Sequence, residues 1–121
     1  MSEKQKKTPV NFVQQFGSLI DDAFLMIDGD LTIKEINGAC IKLLGENLIG
    51  SSLSDKLIYN KLHKEVKTCI TSGSIIEFST TPKINEYRHM IGRILPLSDD
   101  RLAVLLMDMT LQHNIEKMRR D

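Results

Sequence analysis

Three histidines, two cysteines and a pair of aspartates around a glycine are the side chains that could ligate a metal or act as nucleophiles. His63, His89 and His113 stand on different segments, with no Cys-x-x-Cys or His-x-x-x-His spacing to join them, so they point to structural or solvent-facing roles rather than a zinc site. Cys40 and Cys69 lie inside apolar helical stretches, Cys-Ile-Lys-Leu-Leu and Val-Lys-Thr-Cys-Ile. A small buried hydrophobe accounts for each without redox chemistry. Asp28 and Asp30 flank Gly29 in a turn, but no third acidic position follows at calcium-loop spacing. Neither a nucleophile elbow nor a phosphate-binding glycine loop is present, and the Ser, Thr and Asp residues fall at caps and turns whose geometry requires them. Lys117, Arg119 and Arg120 make one helix end basic, a position the helix dipole favours, without the aromatic platform that single-stranded nucleic acid needs. The expectation is a binding module with no catalytic residue, no metal, no cofactor and no nucleic-acid partner.

Composition agrees with that reading. The chain has 121 residues, enough for one domain whose core needs neither disulfide nor metal, and 16 basic residues balance 16 acidic ones. No overall charge draws it to nucleic acid or to an acidic partner. The lysines between Met1 and Lys7 form a local solubilising tail. With neither a leader peptide nor an apolar span in view, the chain is expected to be cytoplasmic, without direct membrane insertion. A parent protein anchored in the inner membrane is compatible with this.

The elements that would position any functional group converge on the C-terminal end. Leu102 to Met107 is a continuous apolar run, which reads as a strand covered on both faces. Asp108-Met109-Thr110 ends it. Leu111, Ile115 and Met118 then recur at spacings of four and three, a narrow apolar seam on an otherwise polar helix, as in a two-stranded coiled coil. Thr110 is placed to cap this helix through its hydroxyl, and Asp108 to anchor the junction by a hydrogen bond or ion pair. A helix with an apolar seam and nothing in its own chain to pack on calls for a partner.

Earlier in the chain, Thr8-Pro9 opens a helix over 9–20 whose apolar face carries Phe12, Val13, Phe16, Leu19 and Ile20. This face is expected to cover the second side of the sheet and to pair with its own copy in a homodimer. Strands are expected near 23–28, 31–36, 74–80, 87–96 and 101–108, the first two joined through Asp28-Gly29-Asp30. Asn37 caps a short helix, Gly38 to Leu44, that Gly45 ends. A turn around 55–59 leads to a helix over 60–71 with Leu62, Val66, Cys69 and Ile70 inward. Ile76 and Phe78 share one strand face, and Gly92 marks a bulge or a close approach. The fold class is α+β, an antiparallel sheet with helices over one face.

The Asp28, Gly29, Leu31, Asn37, Leu44, Gly45 pattern, with Leu48-Ile49-Gly50 and Ser52-Leu53-Ser54-Asp55 after it and the Asp108-x-Thr110 junction before a basic helix, resembles a PAS domain of a sensor histidine kinase. The closing Ile-Glu-Lys-Met-Arg-Arg-Asp looks like the segment that, in phosphate-regulon-type sensors and their relatives, runs into the phosphoacceptor helix. The resemblance, over about 19–121, implies the PAS fold: five strands in the order 2-1-5-4-3, an N-terminal amphipathic helix and a C-terminal signalling helix. It divides the chain into a flexible tail at 1–8, the helix at 9–20, the PAS domain at 21–109 and the start of a signalling coiled coil at 110–121. It implies a homodimeric module that relays a signal through Asp108 and Thr110 to a downstream histidine kinase core, with an unknown small molecule as an optional ligand. The phosphoacceptor box and the ATP-binding domain are not in this sequence, and His113, between Gln112 and Asn114, lacks the motif's Ser and Glu neighbours. The flavin-photoreceptor Asn-Cys-Arg-Phe-Leu-Gln motif is absent too, there is no tryptophan, and His63 stands early on its helix where haem-binding relatives place a late histidine. The alternatives are a purely structural dimerisation domain and a small-ligand, haem or flavin sensor.

Overall fold

The computed structural model describes residues 21–97 and 100–120. The helix expected over 9–20, its face of Phe12, Val13, Phe16, Leu19 and Ile20, and the tail before it lie outside the described residues.

Alternating strand residues with one apolar set build a five-stranded antiparallel sheet. Its strands are β1 (Ala23–Asp28), β2 (Ile33–Ile36), β3 (Ile76–Thr80), β4 (Met90–Pro96) and β5 (Arg101–Asp108), in the order β2-β1-β5-β4-β3. The expected order holds. β5 is central, paired with β1 from Ala23↔Leu106 to Asp28↔Arg101 and with β4 from Met90↔Asp108 to Pro96↔Leu102. This register turns Leu25, Ile27, Phe78, Met90, Ile94, Leu102, Val104 and Leu106 to one face, where they are buried against Cys40, Leu44, Leu48, Leu53, Leu57, Leu62, Val66 and Cys69. Those last residues come from helix α1 (Gly38–Leu44), a 3-10 turn at Leu53–Asp55, helix α2 (Leu62–Ser72) and the loops between them.

Three strands start later than expected, β3 among them, which begins at Ile76 rather than 74. β2 begins at Ile33 because Leu31 is held in the left-handed region at φ 71°, with its N–H on the Asp28 carbonyl, while the Asp28 carboxylate accepts the N–H groups of Asp30 and Thr32. The turn therefore extends two residues further than the alternating pattern suggested. β4 begins at Met90 because 82–88 fold into consecutive turns, with Asn85 N–H on Pro82 O and Arg88 N–H on Asn85 O. Ile70 was expected inward and is 47% exposed. On α2 it stands about 80° around the helix from Leu62, at the shoulder of the stripe that Leu62, Val66 and Cys69 fill.

Gly92 is a close approach with an unbroken ladder: it pairs with both Phe78 and Leu106, and a Cβ there would stand 2.5 Å from Cζ of Phe78. The register irregularity lies instead between Met26 and Ile27, where β1 meets β2. Asn37 occupies the N-cap position of α1, yet its side chain makes no capping bond. It reaches across to β1, accepting the Phe24 N–H at 3.0 Å and donating to Asp22 O at 3.0 Å, while its own N–H bonds Phe24 O. The asparagine clamps a helix start to a strand.

The second sheet face is also apolar. Phe24 sits opposite Leu105 and Met26 opposite Ala103, and Phe24, Ala103 and Leu105 border a hollow of about 210 Å³ with Ile75, Arg93 and Leu95. Among the described residues, the helices α1 and α2 lie on the other face.

Candidate functional site

β5 runs into helix α3 (Thr110–Arg120) through a single residue, Met109. At the junction Asp108 is still paired in the sheet, opposite Met90. Its carboxylate accepts from three groups: the Thr110 N–H at 3.0 Å, the Thr110 hydroxyl, and the Arg88 guanidinium, which makes an ion pair with it. Partial burial on its own pushes this carboxyl upward, but the two bonds from Thr110 and then the Arg88 charge outweigh it and hold Asp108 below the ordinary aspartate value. The group is ionised throughout the neutral and mildly acidic range.

Thr110 differs from the expected cap. It is the first residue of α3, and its hydroxyl accepts the N–H of His89 at 2.9 Å while donating to Asp108. Its partners are therefore the end of β5 and the residue before β4 rather than the N–H groups of its own helix. Met109 N–H bonds the His89 carbonyl at 2.7 Å, so the residues just before β4 grip both Met109 and Thr110. The anchoring expected of Asp108 is present, and its cation is Arg88. Nothing in the local pattern marked Arg88 or His89; they reach the site because the β4–β5 pairing sets Met90 against Asp108.

His89 and His113, which no sequence spacing joined, are brought together. Their rings stack with centroids 4.1 Å apart and planes at 16°. His63 is exposed at the start of α2, beside an open groove lined with Leu57, Tyr59, Asn60 and Lys83, and does not point into the core as an interior haem ligand would. Among the described residues no group of three or more His, Cys, Asp or Glu side chains is arranged to hold a metal ion. Both thiols are buried: desolvation raises Cys40 to about 11, and Cys69 moves in the same direction for the same reason. They remain protonated and chemically quiet. Beyond the junction, Leu111 and Met118 stand 68% and 74% exposed and Ile115 40%, leaving the expected seam open to solvent. No helix among the described residues is long and apolar enough to cross a membrane.

No protein-family model and no curated protein matches the chain. Solved structures share its topology. The PAS domain of the Cronobacter turicensis quorum-sensing receptor RpfR, in complex with C12:0, superposes with a TM-score of 0.63 at 15% identity, covering 74% of this chain and 95% of that one. The PAS domain of nitrogen regulation protein NR(II) from Vibrio parahaemolyticus superposes at 0.59 with 16% identity, over 84% and 97% of the two chains. The chain has the PAS fold. A third structure, the PAS domain of an HTR-like protein from Haloarcula marismortui, agrees at a TM-score of 0.57 and 18% identity, over 79% and 93%.

Between the sheet and the helices of this PAS fold, aromatic side chains pack on one another. The Phe78 ring lies over Gly92 and stacks on Tyr59 at 4.9 Å between centroids. Tyr59 is fixed in turn by a 2.6 Å bond to the Glu65 carboxylate, the main reason its phenol is raised to about 12.

Proposed function

We propose that this chain is a non-catalytic sensory and signal-relay module of a two-component sensor histidine kinase, passing a conformational change from its sheet through Asp108 and Thr110 into α3 and the kinase core beyond. The observation that carries the reading is the double grip on the junction: β5 leads into α3 without a glycine or proline, while Arg88 and His89 just before β4 hold the same residues from the side. A displacement of the central hairpin therefore moves the root of α3. Coupling of this kind is a bias between two packings, on the order of 1–3 kcal/mol. The open seam of Leu111, Ile115 and Met118 supports a second copy as partner, so that α3 begins a paired signalling helix in a homodimer. The division at 109/110 into PAS domain and signalling helix, and membership of the phosphate-regulon sensor type, belong to the same reading and rest on the closing basic helix.

The structural neighbours give the proposal its class. One is the PAS domain of a nitrogen regulation protein, and another comes from a sensory box sensor histidine kinase of Vibrio cholerae, at 15% identity. The quorum-sensing receptor shows that the fold can accept a twelve-carbon chain, but the Phe78–Tyr59 stack occupies the interior here. That filling favours a partner-borne input over a stored ligand, and it keeps alive a second reading as a purely structural dimerisation domain. In an intact kinase containing this segment, Asp108→Ala or Thr110→Ala should shift the balance of kinase and phosphatase activity several-fold while ATP affinity stays the same. Unchanged phosphotransfer in both variants, with the domain folded, leaves the dimerisation reading standing and removes the relay.

A further inference from the structure

We infer that the stacked His89–His113 pair is a proton-operated latch, which holds the first turns of α3 against the start of β4 while at most one ring is charged and releases them when both are. The two rings come from elements joined only through the β4–β5 hairpin, and they lie face to face at 4.1 Å. Around them the backbone is already cross-linked. His89 N–H bonds the Thr110 hydroxyl, Met109 N–H bonds His89 O, and His113 N–H bonds Met109 O at 2.9 Å. The ring pair therefore closes the last side of a clasp whose other sides are hydrogen bonds.

Imidazole is the side chain whose charge ordinarily changes between pH 5 and 8. Two neutral rings, or one neutral and one charged, tolerate face-to-face contact; two cations at this separation repel. Acid conditions favour the doubly charged pair and with it release, and alkaline conditions favour the clasp. The other charged groups near the pair come from each element that meets it. Arg88 precedes His89 and is paired with Asp108 at the end of β5, Glu86 lies in the turn before them, and Glu116 and Lys117 follow His113 by one turn of α3. Asp108 already sits below the ordinary aspartate value and stays ionised at mildly acidic pH, so it does not supply the transition. Across the ladder from Met90, Thr80 carries no charge, and before β1 Asp21 and Asp22 line a hollow shared with Arg88 and Asp108. The input would be a proton, read at the same junction that carries the signal.

As a regulator of output the latch rests on the proposed relay; as a docking device it is a property of the chain alone. The test therefore uses the 121-residue chain, without a kinase readout. Amide hydrogen exchange at residues 113–117, corrected for the intrinsic effect of pH, should show protection lower at about pH 5.5 than at about pH 8 by roughly fivefold or more, the factor for two unit charges at about 4 Å under full water screening. Strand amides of β5 serve as the internal reference for the folded sheet. His113→Gln should give low protection at both pH values, and His113→Phe, which keeps a stacking ring without a charge, should keep it at both. Equal protection of the wild type at the two pH values, or a pH response that survives in both variants, overturns the latch. Either result leaves the Asp108 and Thr110 relay to be judged by its own phosphotransfer measurement.

Discussion

Asn37 shows how much of this molecule is decided by single polar side chains whose partners are remote in sequence. Its type and place before Gly38 made it legible as a cap, and it does stand at the N-cap position with extended backbone. Its amide, however, bonds Phe24 N–H and Asp22 O, 13 and 15 residues away, and also receives the Cys40 thiol. Capping preference describes an isolated helix; the closer offer came from a strand edge that only the folded chain presents. Asn37→Ala removes the amide that serves both backbone groups, and loss of a partner for buried polar groups costs about 1–3 kcal/mol. Urea unfolding should register a loss of roughly that size, larger than for an ordinary lost cap, whereas Asn37→Ala within about 0.5 kcal/mol of wild type refutes the clamp. Arg88 was illegible for a related reason. An arginine in a turn gives no local sign of its carboxylate 20 residues on, because the partner is chosen by strand register.

At the scale of elements, periodicity located the five strands, α1 and α2, and placed Ile76 and Phe78 on one face of β3 as found. It could not say where turns overran the pattern at Leu31 or at Tyr87, since an alternating segment in a turn and one in a strand look alike until hydrogen bonds are assigned. Gly92 carries the same lesson: a lone glycine in a strand signals either a bulge or a close approach, and only the cross-strand pairing with Phe78 decides. The consequence is testable. Gly92→Ala forces the new methyl into the Phe78 ring, and Leu106 behind it is also close, at 3.1 Å from the Cβ position. Overpacking of this kind costs about 1–3 kcal/mol. Combining it with Phe78→Leu should recover part of the loss, giving a favourable coupling in a double-mutant cycle. Strictly additive effects in thermal or urea unfolding would mean that the two sites do not meet as described.

For the whole molecule, the apolar surface that the described residues leave exposed is where a second copy is proposed to pack. β5 was read as covered on both faces, and its inner residues Leu102, Val104 and Leu106 are fully buried by the helices of the same chain. On the outer face Leu95 is 42% exposed beside the hollow lined by Phe24 and Leu105, and on α3 Leu111, Ile115 and Met118 point to solvent. Sequence alone could show that these positions are apolar, yet not what covers them, because a seam and a core stripe share one periodicity and differ only in the partner. If a second copy supplies the cover, association should depend on both surfaces. Replacing Leu111 and Ile115 by Asp removes two apolar contacts from each chain, and burying such a side chain contributes about 1.5–3 kcal/mol. Sedimentation should then show dimer affinity reduced by well over ~10-fold with the sheet intact. Replacing Phe12 and Phe16 by Asp tests the face expected of 9–20 in the same way, and loss of the dimer there alone would assign association to that face and leave α3 to pair only in a longer protein. A wild-type chain that sediments as a monomer at high concentration removes homodimerisation of this chain through either set of residues.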